Sequence, residues 1–365
     1  MSVNNPMQHV RQPILGIYAT IISIVVSLAI CSLFSELMLI TWVGFVAVVA
    51  TVPQVVAVLV WECQYPKCVA QRPQPLKGLF YVMVMVLGAV VFVPASLWLV
   101  GGLVFPPTPY AIMYSILAVL CSVWLIVVFQ CWPLNILSQS PLVIGLGMLV
   151  LSFVVAYLCL RIFFNFDYLQ GTTLYIEALD PKGLFYAWLA LAFVLTTVAT
   201  INALVLVDFY PLSLIGAEGS RIRTQPFFGV ITAAFVLILS LLILRYFVGY
   251  QEMDVVEYLV RVPVSFIFGE FVLLTLFQVA EIDTLKQPLK GFVLLLICTV
   301  LAPLLYLIYS IASTYIVGTL ASGSPSYSLQ IWIASAMLGV TFPVLVIYGA
   351  FLEFWPLNHT TRARV

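Results

Sequence analysis

Gln287-Pro288-Leu289-Lys290-Gly291 opens a run that reaches Tyr315 without another charged side chain. A bilayer core about 30 Å thick takes roughly 20 apolar residues as one helix. Residues 291–315 therefore read as a membrane span. Nine further runs of this kind fall near 13–34, 37–61, 78–104, 110–129, 142–164, 184–207, 226–249, 262–280 and 331–352. Ten spans put both termini on one side. The weakest boundaries are the tight link at Ser35–Leu37 and the short eighth span.

The opening phrase recurs. Gln12-Pro13-Ile14-Leu15-Gly16, Gln74-Pro75-Leu76-Lys77-Gly78 and Gln225-Pro226-Phe227-Phe228-Gly229 each begin an odd-numbered span, and Ser140-Pro141 with Gly145 is a looser copy. Proline suits the first turn of a helix, where its missing N–H would be unpaired anyway. A second phrase closes the even-numbered spans: Phe129-Gln130-Cys131-Trp132-Pro133, Val207-Asp208-Phe209-Tyr210-Pro211 and Leu352-Glu353-Phe354-Trp355-Pro356. Trp61-Glu62 before Tyr65-Pro66 is a looser copy, and Phe277-Gln278 lacks the proline. Aromatic rings suit the headgroup boundary, and proline stops a helix.

The fold class expected is an all-α polytopic membrane protein: one transmembrane domain over residues 1–365, built from five helical hairpins. These cover about 12–66, 74–133, 140–211, 225–282 and 287–356. A rival plan of two inverted five-helix halves rests on Asp180-Pro181-Lys182-Gly183-Leu184-Phe185-Tyr186, which echoes residues 75–81 from the opposite side. The hairpin plan resembles the tellurite-resistance and dicarboxylate transporter family of anion channels in span count and pairing. That resemblance implies hairpins packed around a central pore. It carries no pore residue over to this chain.

The bulk numbers agree with a membrane fold. Of 365 residues 64% are hydrophobic and 8% charged, against about 25% charged in soluble domains. That leaves too little polar surface for a soluble enzyme or a basic nucleic-acid binder, and too much apolar surface for a disordered chain. Seven cysteines show no disulfide framework; Cys63 and Cys68 lack the spacing of a metal site. The histidines, His9 and His359, both lie in terminal tails, which excludes histidine-ligated haem within the bilayer. No cofactor or metal is expected, and no cleavable signal is evident.

Basic residues set the orientation. Arg11, Lys67, Arg72, Lys77, Arg221, Arg223, Lys286, Lys290, Arg362 and Arg364 share the side of the termini, against Arg161, Lys182, Arg245 and Arg261 on the other. Ten against four puts both termini in the cytoplasm, as a multi-pass protein of the cell's inner membrane. No soluble catalytic domain fits in connections this short.

Function is sought in the scarce polar groups, because charge inside a bilayer is costly. Glu270, in Phe268-Gly269-Glu270-Phe271, is the acid deepest in a span, about eight residues from its expected outer end. It reads either as a proton or substrate site or as a structural acid paired with Arg245 or Arg161. Gln54 beside Pro53, Asn202 after Thr200 and Thr299 near Pro303 are neutral candidates. Glu62, Asp208 and Glu353 close even-numbered spans, at the unfavourable end of a helix dipole. Partners are expected for them, with Lys77 and Lys290 completing a cytoplasmic acid–lysine belt.

Two functions follow. One is a transporter or channel for a small solute, proton-coupled or anion-conducting. The other is a non-haem, quinone-handling membrane subunit docked to a larger complex through the belt. The expected partners are the lipid bilayer, a small solute, and either further copies or partner subunits, with no nucleic acid. A membrane-embedded enzyme lacks a visible metal or nucleophile cluster, and no Walker A, dinucleotide turn or nucleophile elbow occurs.

Overall fold

The computed structural model describes residues 11–216, 220–278 and 285–357. His9, His359, Arg362, Arg364 and the end of the expected fourth hairpin at 282 lie outside the described residues. Helix makes up 72% of the structure, and sheet is limited to the short parallel pair β1 (Phe164–Asn165) and β2 (Phe185–Tyr186). Among the described residues ten helices are long and apolar enough to cross a membrane: α1 (Ile14–Cys31), α2 (Glu36–Leu59), α3 (Leu76–Leu99), α4 (Pro109–Val128), α5 (Pro141–Phe163), α6 (Ala187–Leu206), α7 (Phe227–Tyr250), α8 (Val255–Leu276), α9 (Leu289–Ile316) and α10 (Ser328–Phe351).

One boundary differs from the sequence reading. α8 starts at Val255 rather than near 262, so Arg261 lies inside the helix instead of in an outer loop. The cause is local. Asp254 caps the helix by accepting hydrogen bonds from the backbone N–H groups of Val256 and Glu257, at 2.8 and 3.1 Å. Arg261 then pairs with Glu257 one turn back at 2.8 Å and lies over the Tyr306 ring. Glu270 is consequently about 22 Å of helix rise from the start of α8, not about 12 Å.

The two recurring phrases turn out to be halves of one contact. The side-chain amides of Gln12, Gln74, Gln225 and Gln287 donate to the carbonyls of Leu276, Phe351, Val128 and Leu206, each at the end of an even-numbered helix, at 2.8–3.1 Å. Three of these glutamines also accept from the N–H of the glycine four residues on, namely Gly16, Gly78 and Gly291. At the fifth place the donor changes sides: the Trp61 indole donates to the carbonyl of Pro141 at 2.9 Å.

The glycine of the opening phrase is required by close approach. A Cβ on Gly145 would lie 2.1 Å from Trp61 Nε1, and one on Gly291 would lie 2.5 Å from the Val207 backbone. Gly16, Gly78 and Gly229 face Phe277, Leu352 and Phe129 in the same way. The closing phrase supplies the other half of the geometry. Glu62–Cys63, Gln130–Cys131, Asp208–Phe209 and Glu353–Phe354 are consecutive left-handed residues, and Gln278 is left-handed too. That turn lets Cys63, Cys131 and Phe354 donate N–H bonds to carbonyls six residues back, which satisfies helix ends near the apolar boundary.

Packing sorts the helices into two rings. α2, α4, α6, α8 and α10 touch one another in a closed cycle, and each outer helix fills a groove between two of them. In the outer helices 22–33% of an 18-residue stretch is buried, in the inner ones 56–72%. The outer helices turn narrow stripes of small residues inward, such as Gly16, Ala19, Ser23 and Ser27 on α1 or Gly145, Ser152 and Ala156 on α5. Small residues let helices approach closely where there is no hydrophobic gradient to drive them together. Their remaining faces expose isoleucine, leucine, valine and phenylalanine, as lipid contact requires.

Candidate functional site: an axial cavity

All five inner helices line one cavity of about 490 Å³ along the axis of the ring. It begins among Phe105–Pro109 before α4 and Thr173, Leu174 and Ile176 in the α5–α6 connection. Several contacts hold that end in place. The Ile176 N–H donates to the Tyr110 hydroxyl at 3.1 Å, Trp42 stacks on Phe105 at 5.7 Å, and buried Asp180 accepts from the N–H groups of Phe166 and Lys182.

Further along the inner helices the wall is made by Val55, Val123, Val198, Phe271 and Phe342. The rings of Phe271 and Phe342 meet edge to face, centroids 4.5 Å apart at 84°. This arrangement lies within the favourable range for aromatic pairs. Gly44 and Gly339 let α2 and α10 approach at the wall, where a Cβ on Gly339 would lie 3.2 Å from the Gly44 Cα. Four inner helices carry π-helical turns: Leu39–Val43, Trp124–Val128, Val260–Val264 with Val272–Leu276, and Ser335–Thr341 with Ile347–Phe351. The wide turns of α8 therefore bracket the segment holding Glu270 and Phe271. Such turns recur at functional sites because they re-aim side chains within an otherwise regular helix.

The three intramembrane candidates are all buried, and none lines the cavity. Gln54 ties α2 to α10 by donating to the Pro343 carbonyl at 3.0 Å, while its own amide oxygen has no partner. Asn202, one helical turn beyond the lining residue Val198, faces Glu270, but its amide nitrogen and both Glu270 oxygens close no hydrogen bond. Glu270 is fully buried on the same helix as the lining residues Ile267 and Phe271, with Cys298 of α9 alongside, and forms no ion pair with Arg245 or Arg161. Thr299 is exposed and donates to the Leu295 carbonyl of its own helix.

In the belt, Lys77 and Glu353 form an ion pair at 2.7 Å, joining α3 to the end of α10 within the recurring contact. Lys290 holds the place of Lys77 in its own phrase, and Asp208 the place of Glu353. Glu62 is exposed in its left-handed turn. Burial pushes the nearby Cys63 thiol up to about 11, whereas Cys68 is exposed. No group of histidine, cysteine, aspartate or glutamate among the described residues is arranged to hold a metal.

Phe271, Phe342 and the aliphatic lining escaped the sequence reading. An inward-facing valine in a membrane helix looks like a lipid-facing one, and only the paired phrases hinted at which helices are central. No family model, curated protein or solved structure matches the chain.

Proposed function

We propose that the protein is a channel or carrier for a small solute, which passes along the axis of the inner ring. The observation that carries this reading is a single cavity lined by all five inner helices, with the rings of Phe271 and Phe342 in contact at its wall. Cavities between bundle helices are the usual place for a small-molecule site. The cavity serves as an outer vestibule, the aromatic pair and the adjacent valines form the closed gate, and the π-helical turns of α8 and α10 supply the slack for opening.

The same reading treats the chain as five hairpin repeats, with both termini in the cytoplasm of an inner-membrane protein. Four equivalent glutamine contacts, a fifth with its donor on the other side, and the excess of basic residues on one side support it. The test is solute release from proteoliposomes. Phe271→Ala and Phe342→Ala remove the closure and are expected to raise basal flux at least ten-fold. Flux no greater than from protein-free vesicles, in both variants while they remain folded, overturns the proposal.

A further inference from the structure

We infer that the cavity selects an uncharged, predominantly apolar molecule; this deepens the transport reading and rests on it. No lining residue carries a charge, and the walls are leucine, isoleucine, valine, methionine, phenylalanine and proline. Five lining residues carry hydroxyls, and one of them, Thr108, is buried with no hydrogen-bond partner, a single place for a hydroxyl or carbonyl of the ligand. Thr41 and Thr51 donate to the Leu37 and Ala47 carbonyls of their own helix, at 2.6 and 2.9 Å. An ion entering here would lose its hydration shell and meet neither a countercharge nor a ring of convergent donors, a cost that burial of an unpaired charge always carries. The buried carboxyl of Glu270 offers no relief to a cation, since it is not among the lining residues and lies beside Asn202 and Cys298 instead.

An apolar molecule meets the opposite balance. It gains dispersion contacts with five helices and displaces poorly held water. A volume of about 490 Å³ falls in the range, about 300–1,000 Å³, that takes a drug-sized ligand. A free solute and the acyl chain of a lipid share this chemistry.

The experiment uses the full chain in nanodiscs and an uncharged alkanol bearing a diazirine as photolabel. Label is expected on peptides carrying Ile116, Leu195 and Leu338, and is lost on filling the cavity with Ile116→Trp, while label on lipid-facing α1 persists. Adamantan-1-ol is expected to compete at concentrations at least ten-fold lower than adamantane-1-carboxylate or the adamantyl ammonium ion. Equal or better competition by either ion overturns the inference, as does labelling confined to lipid-facing residues. Should Ile116→Trp fail to fold, Leu195→Trp replaces it, and the competition series on the unmodified protein decides alone. Native mass spectrometry separates the two sources: a phospholipid retained by the parent and lost from the filled variant identifies an acyl chain. If the label seats as expected but Phe271→Ala passes no solute, the transport reading fails and the site stands. If an ion crosses and Ile116→Trp blocks it, transport stands and the selectivity inference fails.

Discussion

Glu270 shows how far one residue can be read from its surroundings. Its carboxyl is fully buried, faces the Asn202 amide, and has no cation beside it among the described residues. A buried ion pair would be strongly destabilised by removing one partner, by about 3–5 kcal/mol, whereas an acid that faces only a neutral amide loses little to its neutral isostere. Glu270→Gln is therefore expected to leave the thermal midpoint of the purified protein unchanged or higher. A fall of several degrees would reveal a partner. Glu270→Lys, which places a long cation in the same dry space, is expected to abolish folding, checked by size-exclusion chromatography of the extracted protein. The same pair of variants separates structure from function: a Glu270→Gln protein that folds and still moves solute with unchanged pH dependence removes the carboxyl from any coupling step.

At the scale of elements, the helix junctions make the sharpest energetic statement. Each glutamine of the opening phrase bridges its own helix start to a carbonyl at the end of an inner helix. A hydrogen bond of this kind contributes about 0.5–1.5 kcal/mol, and an orphaned buried partner costs more. Gln12→Ala, Gln74→Ala and Gln287→Ala are expected to destabilise by about 1–2 kcal/mol each, by similar amounts at all three. Gln225→Ala should cost less, because its amide oxygen has no partner to lose. Trp61→Phe tests the fifth junction, where the indole is the donor. Unequal penalties across the first three, measured as thermal shifts in one detergent, would contradict their equivalence. The recurring phrases were visible in the sequence, and so was the reason for proline in them; the need for glycine emerges only from the close approach of the helices. Their meeting was not, because the phrase opening one span docks on the end of a span roughly three earlier around the ring. Spacing along the chain carries no trace of that closure. The acids of the closing phrase were legible as a pattern, but the left-handed turn in which they sit is a backbone property.

For the whole molecule, the ten apolar runs were legible because water and lipid differ so sharply as solvents, while the division into rings was not, because lipid and protein interior are almost equally apolar. Only the small-residue stripes on the outer helices record it, and they are sparse: four residues in the 18 of α1. The start of α8 was misread for a related reason, since Arg261 signals a loop until Glu257 and Tyr306 are seen to hold it. The orientation of the whole rests on charge alone and yields to a chemical test. Cys68 is exposed in the α2–α3 connection, whereas Cys63 is buried and its thiol is pushed up to about 11, so that near pH 7.5 it carries almost no reactive thiolate. In a protein keeping Cys63 and Cys68 as its sole cysteines, a membrane-impermeant maleimide is expected to modify Cys68 in inside-out vesicles and not in intact cells. Gln170→Cys, placed in the exposed α5–α6 connection at the other end of the bundle, is expected to react from outside. Raising the pH through about 11 titrates Cys63 toward thiolate, and its labelling should rise there while that of Cys68 is already complete. The reverse sidedness at both positions would invert the molecule and turn the vestibule toward the cytoplasm, leaving its geometry intact but exchanging the compartment from which solute enters.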